Sequence, residues 1–295
     1  MSLDVPTPGQ HGGDGPAVAK ALGINATELL DLSQTMNPWA PDVRAILRRH
    51  LDSVGHYPDP REGTAALADA LGVERDRLLL TNGGSEAISL VAGVLGGGAR
   101  SEPEFALHPR GGDGPRWRSN PHSPSGRLAG TDEHADVWDE AFYPLATGAW
   151  TAARGGIVVG SLTKTFACPG LRLGYILADD ITPCAARQPR WSVSSLALAT
   201  LPDLLDQADP MRWAQQIASA REELTALLTR HGVSVDAADA PWVLACTPQN
   251  LRTAFAPHGV LVRDCASFGI PDTYRIAVPD ADGLARLAKA LQHTA

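Results

Sequence analysis

Only three lysines occur in the 295 residues, Lys20, Lys164 and Lys289, so chemistry that needs an amine has few candidates. Lys20 and Lys289 sit in polar, helix-like stretches and read as solvated surface charge. Lys164 follows the apolar run 157–161 and stands in the tetrad Ser161-Leu162-Thr163-Lys164. An amine carried out of a hydrophobic strand loses hydration, its pKa falls, and it becomes a usable nucleophile. Gly170-Leu171-Arg172-Leu173-Gly174-Tyr175 follows, with Arg172 eight positions after the lysine. Taken alone, Lys164 reads equally as an ion-paired structural lysine.

Two further segments change that balance. Thr81-Asn82-Gly83-Gly84-Ser85-Glu86 follows an apolar run and opens a helical pattern. Glycines there allow close approach, and the free N–H groups and dipole of the helix start favour an anion such as phosphate. By itself it is also an ordinary strand-to-helix turn with a serine cap. Asp139, in Trp138-Asp139-Glu140-Ala141-Phe142, ends another apolar run, where open α/β sheets bind ligands; by itself it reads as a helix cap. A phosphate cup, an acid and a hydroxyl-lysine-arginine cluster, all at strand ends of one chain, point to a shared site.

The elements that would position these residues follow from apolar spacing. Helical periodicity predicts helices over 42–54, 63–71, 85–95, 210–231, 250–256 and 281–292. Short apolar runs bounded by turn residues predict strands at 78–81, 135–138, 157–161, 173–178, 242–246, 260–263 and 274–278. Strands alternating with helices argue for an α/β fold with a mostly parallel sheet and a smaller C-terminal α/β unit. The stretch 104–124 is rich in Gly, Pro and Arg and carries little regular pattern.

The net charge of −8, from 25 basic and 33 acidic residues, argues against nucleic acid or an anionic membrane as partner. No stretch approaches the roughly 18 apolar residues that span a bilayer. The first ten residues lack the basic and apolar regions of an export signal. The four cysteines, Cys168, Cys184, Cys246 and Cys265, are far apart, without metal-binding spacing. A reduced, cytoplasmic, globular protein without a metal is expected.

In chain order, the motifs are His11-Gly12-Gly13-Asp14, Leu32-Ser33 with Asn37-Pro38, His56-Tyr57-Pro58-Asp59 and Asn82-Gly83-Gly84-Ser85-Glu86. Ser119-Asn120-Pro121, Ser125-Gly126, Asp139-Glu140-Ala141-Phe142, Ser161-Leu162-Thr163-Lys164 and Pro169-Gly170-Leu171-Arg172 follow. Trp191-Ser192-Val193, Val262-Arg263-Asp264 and Arg275-Ile276-Ala277-Val278 complete the series. The series resembles the pyridoxal-phosphate enzymes of fold type I, in the class I/II aminotransferase superfamily. The branch is that of histidinol-phosphate aminotransferase and threonine-phosphate decarboxylase. The resemblance spans nearly the whole chain and implies an aspartate-aminotransferase-like fold. It implies an N-terminal arm with part of the small domain at 1–38, a large cofactor domain at 39–195 and a small domain at 196–295.

The resemblance also implies roles. Lys164 would form the internal aldimine and later move the proton on the substrate carbon. Asp139 would pair with the pyridine nitrogen so that the ring acts as an electron sink. Gly84, Ser85, Ser161, Thr163 and Arg172 would hold the cofactor phosphate. Asn120 would bond the ring hydroxyl and Phe105 would stack on the ring. Arg275 would grip the substrate carboxylate, Arg263 and His11 a substrate phosphate, and Tyr57 would reach across a homodimer interface. On residue type alone, Arg263 and Arg275 also fit strand-edge ion pairs with Asp264 or a glutamate.

The departures from the pattern select among reactions. Phe142 and Phe105 stand where the aminotransferase pattern carries tyrosines, and His11-Gly12-Gly13 and the stretch 262–268 are closer to the decarboxylase. Thr35 replaces an asparagine in the decarboxylase's Ser-x-Asn-x-Asn-Pro segment, a change in how carboxylate or phosphate is gripped. Only 15 positions separate Phe105 from Asn120, which implies a large domain shortened by about one strand and one helix, roughly 5–6 and 11–12 residues. The implied activity is decarboxylation of L-threonine O-phosphate to aminopropanol phosphate, the linker of cobalamin's lower loop. The alternatives are a histidinol-phosphate-like aminotransferase and a cofactor-binding relative impaired in catalysis.

Overall fold

The computed structural model describes residues 5–9 and 12–293. The strands among them are β1 (Leu30–Asp31), β2 (Leu78–Asn82), β3 (Gly98–Ala99), β4 (Arg116–Ser119), β5 (Val137–Asp139) and β6 (Ile157–Ser161). They continue as β7 (Leu173–Leu177), β8 (Ser234–Ala237), β9 (Trp242–Cys246), β10 (Val260–Leu261), β11 (Arg263–Asp264) and β12 (Thr273–Ala277). A six-stranded sheet runs β2-β7-β6-β5-β4-β3, a four-stranded sheet β11-β12-β9-β8, and β1 pairs with β10. In the larger sheet β7 alone runs antiparallel to its neighbours, so the other five strands point the same way. All five end at one edge of the sheet, and β7 begins there. The expected α/β fold with a mostly parallel sheet is the observed one.

The sheet is covered on both faces, which explains why its central strands are apolar on both sides. The helix Gly83–Leu95 packs Ala87, Ile88 and Val91 with Trp117, Val137, Val159 and Ile176 on one face. On the other, Leu80, Trp138, Val158, Leu173 and Tyr175 meet the helices Arg61–Leu71, Ser195–Asp206 and Pro210–Arg230. Asp209 caps the last of these through its carboxylate, which accepts from the Arg212 N–H at 3.0 Å, and Pro210 fits its first turn. Phe166 is fully buried and stands edge-on to Trp213, with centroids 5.9 Å apart. Phe166→Ala is expected to cost about 3–5 kcal/mol, read as a lowered urea midpoint; a loss below about 1 kcal/mol would contradict this packing.

Three expectations need correction. The helix predicted over 42–54 is an α-helix only across Val43–Arg49, followed by a 3-10 turn at Leu51–Gly55. His50, bonded to Asp203 at 2.9 Å, marks the break, and Leu51 and Val54 are exposed rather than part of a buried stripe. The strand predicted over 260–263 is two strands: β10 pairs with β1, and after the buried Val262 the chain joins β12 as β11. β4 was not predicted, because Arg116-Trp117-Arg118-Ser119 reads as polar; Arg118 is buried there by pairing with Glu133 at 2.6 Å.

The shortening lies between β3 and β4. These strands are parallel neighbours, yet residues 100–115 join them without a helix or strand of their own. Arg100 ties the crossover together by donating to the carbonyls of Gly111, Gly112 and Gly114. No helix among the described residues is long and apolar enough to cross a membrane.

Candidate active site

The common edge of the large sheet collects most of the predicted site residues. Asn82 ends β2 and Gly83 follows it, Asn120 follows β4, Asp139 ends β5, Ser161 ends β6, and Arg172 precedes β7. Register places them side by side: Ser119 opposite Asp139, Asp139 opposite Val159, Ser161 opposite Gly174, and Asn82 opposite Leu173.

Gly83 has φ +77°, and a Cβ there would collide with the Arg172 guanidinium; a Cβ on Gly84 would lie 3.2 Å from that of Ser161. The helix start, Ser161 and Arg172 therefore close on one another only because two side chains are missing. The Asn82 side chain makes no capping hydrogen bond to the helix, and Ser85 is exposed in the first turn. The Thr163 hydroxyl is buried without a hydrogen-bond partner. A glycine-opened helix start without a side-chain cap, beside an arginine and hydroxyls, has the chemistry that suits an anion. Ala167 and Arg172 both lie in the left-handed region (φ +48° and +57°), strain that clusters at functional turns.

Lys164 is largely buried on the short helix Leu162–Thr165. Burial, with the nearby Arg275 and Arg172 guanidinium groups, pulls its amine down to about 8. In the unliganded protein the sign follows: between about pH 8 and the ordinary 10.5, the unfolded chain binds a proton there that the folded chain does not. Stability from this group is lowest below pH 8 and rises across that window. Lys164→Met apoprotein should therefore melt above wild type at pH 7, with the gap closing by about pH 10.5. Melting curves across pH check this, and a constant gap would refute it.

Asp139 is buried; its carboxylate accepts from the Ala141 N–H at 3.0 Å and lies 3.0 Å from His108 Nε2. Asn120 accepts from the Ala129 N–H at 3.0 Å through its side-chain oxygen, so its amide NH2 is the end that can donate. Phe105 lies edge-on to the His108 ring, centroids 5.5 Å apart. Phe142 packs edge-on against Trp242 of β9 at 4.9 Å, an apolar contact between the two sheets.

The smaller sheet brings two arginines to the same place. Arg263 and Arg275 face each other across β11 and β12. Arg263 is buried and donates to Ser267 Oγ at 2.9 Å. Arg275 lies over the Trp242 ring at 5.1 Å, and among the described residues no carboxylate pairs with it. Burial pulls its guanidinium down to about 10, and Arg263 adds to the effect. The strand-edge ion pair considered for Arg275 from sequence is thus not formed. The Thr35 hydroxyl is buried without a partner, in a segment whose Asn37 bonds the backbone of Lys164 (3.0 Å) and of Thr165 (2.9 Å).

One predicted residue is not brought in. Tyr57 is 79% exposed with its ring against Trp191 at 4.7 Å, so this chain does not enclose it. His11 lies outside the described residues. Two buried residues were missed, His108 and Glu104; both lie in the irregular Gly/Pro/Arg-rich stretch, where no periodicity singles them out.

The family model "Aminotransferase class I and II" matches residues 119–291, more than half of the chain. The chain belongs to that family. It is 25% identical to the histidinol-phosphate aminotransferase of Halorubrum lacusprofundi, covering 94% of this chain and 92% of that protein. It is 28% identical to the threonine-phosphate decarboxylase of Salmonella typhimurium, covering 96% of each. The former alignment runs over 346 positions, more than the chain has residues, so the shortening is internal. Among solved structures, the histidinol-phosphate aminotransferase of Sinorhizobium meliloti, in complex with pyridoxal-5′-phosphate, superposes with a TM-score of 0.74 at 16% identity, covering 95% of each chain. The fold is that of the aspartate-aminotransferase-like fold type I enzymes, and the family's cofactor is pyridoxal 5′-phosphate.

The residues present fit that cofactor. The Gly83–Gly84 cradle with Ser161, the unpartnered Thr163 hydroxyl and Arg172 suits its phosphate. A buried carboxylate suits its ring nitrogen, and a largely buried amine of lowered pKa suits its aldehyde.

Proposed function

We propose that the protein is a pyridoxal-phosphate-dependent decarboxylase of L-threonine O-phosphate that releases aminopropanol phosphate. The observation that carries this reading is the pair of guanidinium groups facing each other across β11 and β12, with Arg275 unmatched by any carboxylate among the described residues. Like charges directly opposite on neighbouring strands are unfavourable, and a substrate carboxylate supplies the anion that Arg275 does not find among the described residues. Phe142 on Trp242 supports the decarboxylase, since the hydroxyl expected of the aminotransferase pattern is absent. The 28% identical relative named for that activity supports it too.

When bound, pyridoxal phosphate supplies an aldehyde for the substrate amine and an electron sink for the bond broken at the α-carbon. Arg275 would hold the substrate carboxylate through a bidentate contact, and its place on β12 would set how that carboxylate is oriented. Asp139 would hold the ring nitrogen of the bound cofactor and favour its protonated form. Asn120, whose side-chain oxygen is taken by the Ala129 N–H, would donate its amide NH2 to the ring hydroxyl. Lys164, with its lowered pKa, gives up and takes back a proton near neutral pH and returns one to the α-carbon after carbon dioxide leaves. Arg263 and Ser267 bind the substrate phosphate. A second copy of the chain covers Tyr57, Trp191, Leu51 and Val54, large side chains exposed on one protomer. A cytoplasmic homodimer fits this reading.

The deciding experiment is incubation of the cofactor-loaded protein with L-threonine O-phosphate and mass spectrometry of the products. Aminopropanol phosphate with the cofactor returned as aldehyde is expected. A keto acid with pyridoxamine phosphate would instead establish a transaminase, the activity named for the relative at 25% identity.

A further inference from the structure

Behind Asp139 the buried side chains continue as an alternating row of carboxylates and imidazoles. His108 Nε2 lies 3.0 Å from Asp139 Oδ2, and His108 Nδ1 lies 3.7 Å from Glu104 Oε1. Glu104 Oε2 lies 3.9 Å from His122 Nε2, and His122 Nδ1 lies 2.8 Å from Ser125 Oγ. Asp139, His108 and Glu104 are all buried. The row ends at a surface cavity of about 230 Å³ lined by Glu104, His122, Ser125, Arg116, Arg118 and Arg127.

Glu104 is held firmly. Its carboxylate accepts from the Ser119 N–H at 3.1 Å, from the Ser119 hydroxyl, and from the Phe105 N–H at 2.8 Å. Arg118, whose charge also acts on Glu104, is engaged by Glu133 at 2.6 Å. A buried carboxylate is costly unless paired, and the one imidazole stands between two buried acids. Flipping that ring would turn carbon atoms toward both oxygens. Asp139 at 3.0 Å therefore fixes the Nε2 side of the ring, with the Nε2–H donated to it, while Glu104, 3.7 Å from an Nδ1 that makes no hydrogen bond, acts on the ring through its charge.

We propose that Glu104 is a positioning residue for the acid that faces the cofactor: through the His108 ring it keeps the Asp139 carboxylate aimed at the ring nitrogen. The proposal rests on the reading of Asp139 as the partner of that nitrogen. Glu104→Gln keeps the size and the contacts to Ser119 while removing the charge. Its apoprotein should melt close to wild type, while its dissociation constant for pyridoxal phosphate, from equilibrium dialysis, rises about 3- to 100-fold, the range for coupled neighbouring groups. The pH midpoint of the bound cofactor's absorbance should move with it. His108→Asn should reproduce both changes, and the double variant should add nothing further, whereas additive losses would overturn the proposal. A Glu104→Gln protein that binds the cofactor as wild type does, with the midpoint unmoved, also overturns it. Should that variant fail to fold, nitrogen-15 histidine spectra of the wild-type holoenzyme decide: a proton on His108 Nε2 is expected, and a bare Nε2 sinks the idea. A wild-type protein that takes up no pyridoxal phosphate would instead remove the cofactor reading itself.

Discussion

Lys164→Ala should lower turnover by more than ~10³-fold, since general acid–base transfer alone contributes roughly 10²–10⁴-fold and the covalent role is lost with it. Neither remaining lysine can substitute. Lys20 lies on the helix Gly15–Leu22 and Lys289 on the helix Ala281–Gln292, both away from the sheet edge that carries Lys164. The phosphate cradle of Gly83, Gly84, Ser161 and Arg172 does not depend on the lysine, so the variant should still bind the cofactor, more weakly and without the absorbance of a lysine-bound aldehyde. A variant that kept that absorbance, or substantial turnover, would refute the assignment. Methylamine added to the assay should restore part of the rate, because the missing function is an amine.

Arg275→Met should raise KM for a carboxylate substrate roughly 10²-fold or more, from the roughly 2–5 kcal/mol lost when one partner of a buried charged pair is removed. It should do so without harm to the fold. Breaking a buried ion pair ordinarily destabilises a protein because it strands the other charge. Among the described residues Arg275 pairs with no carboxylate, so nothing is stranded in the free enzyme. Burial already pulls its guanidinium down to about 10, the mark of a charge held at a cost. Methionine fits the slot over Trp242 and Phe268, and the apoprotein should melt at or above the wild-type temperature. A large fall in melting temperature with KM unchanged would mean that Arg275 is structural.

The gathering of the candidate site was legible where residue type and chain order reinforce each other. Lys164, Arg172, Asp139 and the Gly83–Gly84 turn each follow or precede an apolar run, and runs of that kind become the parallel strands whose ends meet. What escaped lay in segments without period. Glu104 and His108 sit among glycines, prolines and arginines, and only tertiary contact with Asp139 and Ser119 gives them meaning. β4 escaped for the opposite reason, since its arginines read as surface until Glu133 is seen to pair with one of them. The single strand expected over 260–263 failed because periodicity cannot reveal that a chain changes sheets at one buried valine. That change of partner sets Arg263 opposite Arg275.

The helix-free crossover between β3 and β4 has an evolutionary consequence. In most α/β sheets the outermost strand is the place where a lineage can add or lose sequence cheaply, because no functional group hangs on it. Here the crossover that closes the sheet is also the wall that carries Phe105, Glu104 and His108, and Arg100 pins its backbone. Selection cannot adjust one without the other: a drifting Arg100 would loosen the sheet margin and the wall together. The helix-free crossover therefore answers to two constraints at once, the margin of the sheet and the wall of the site.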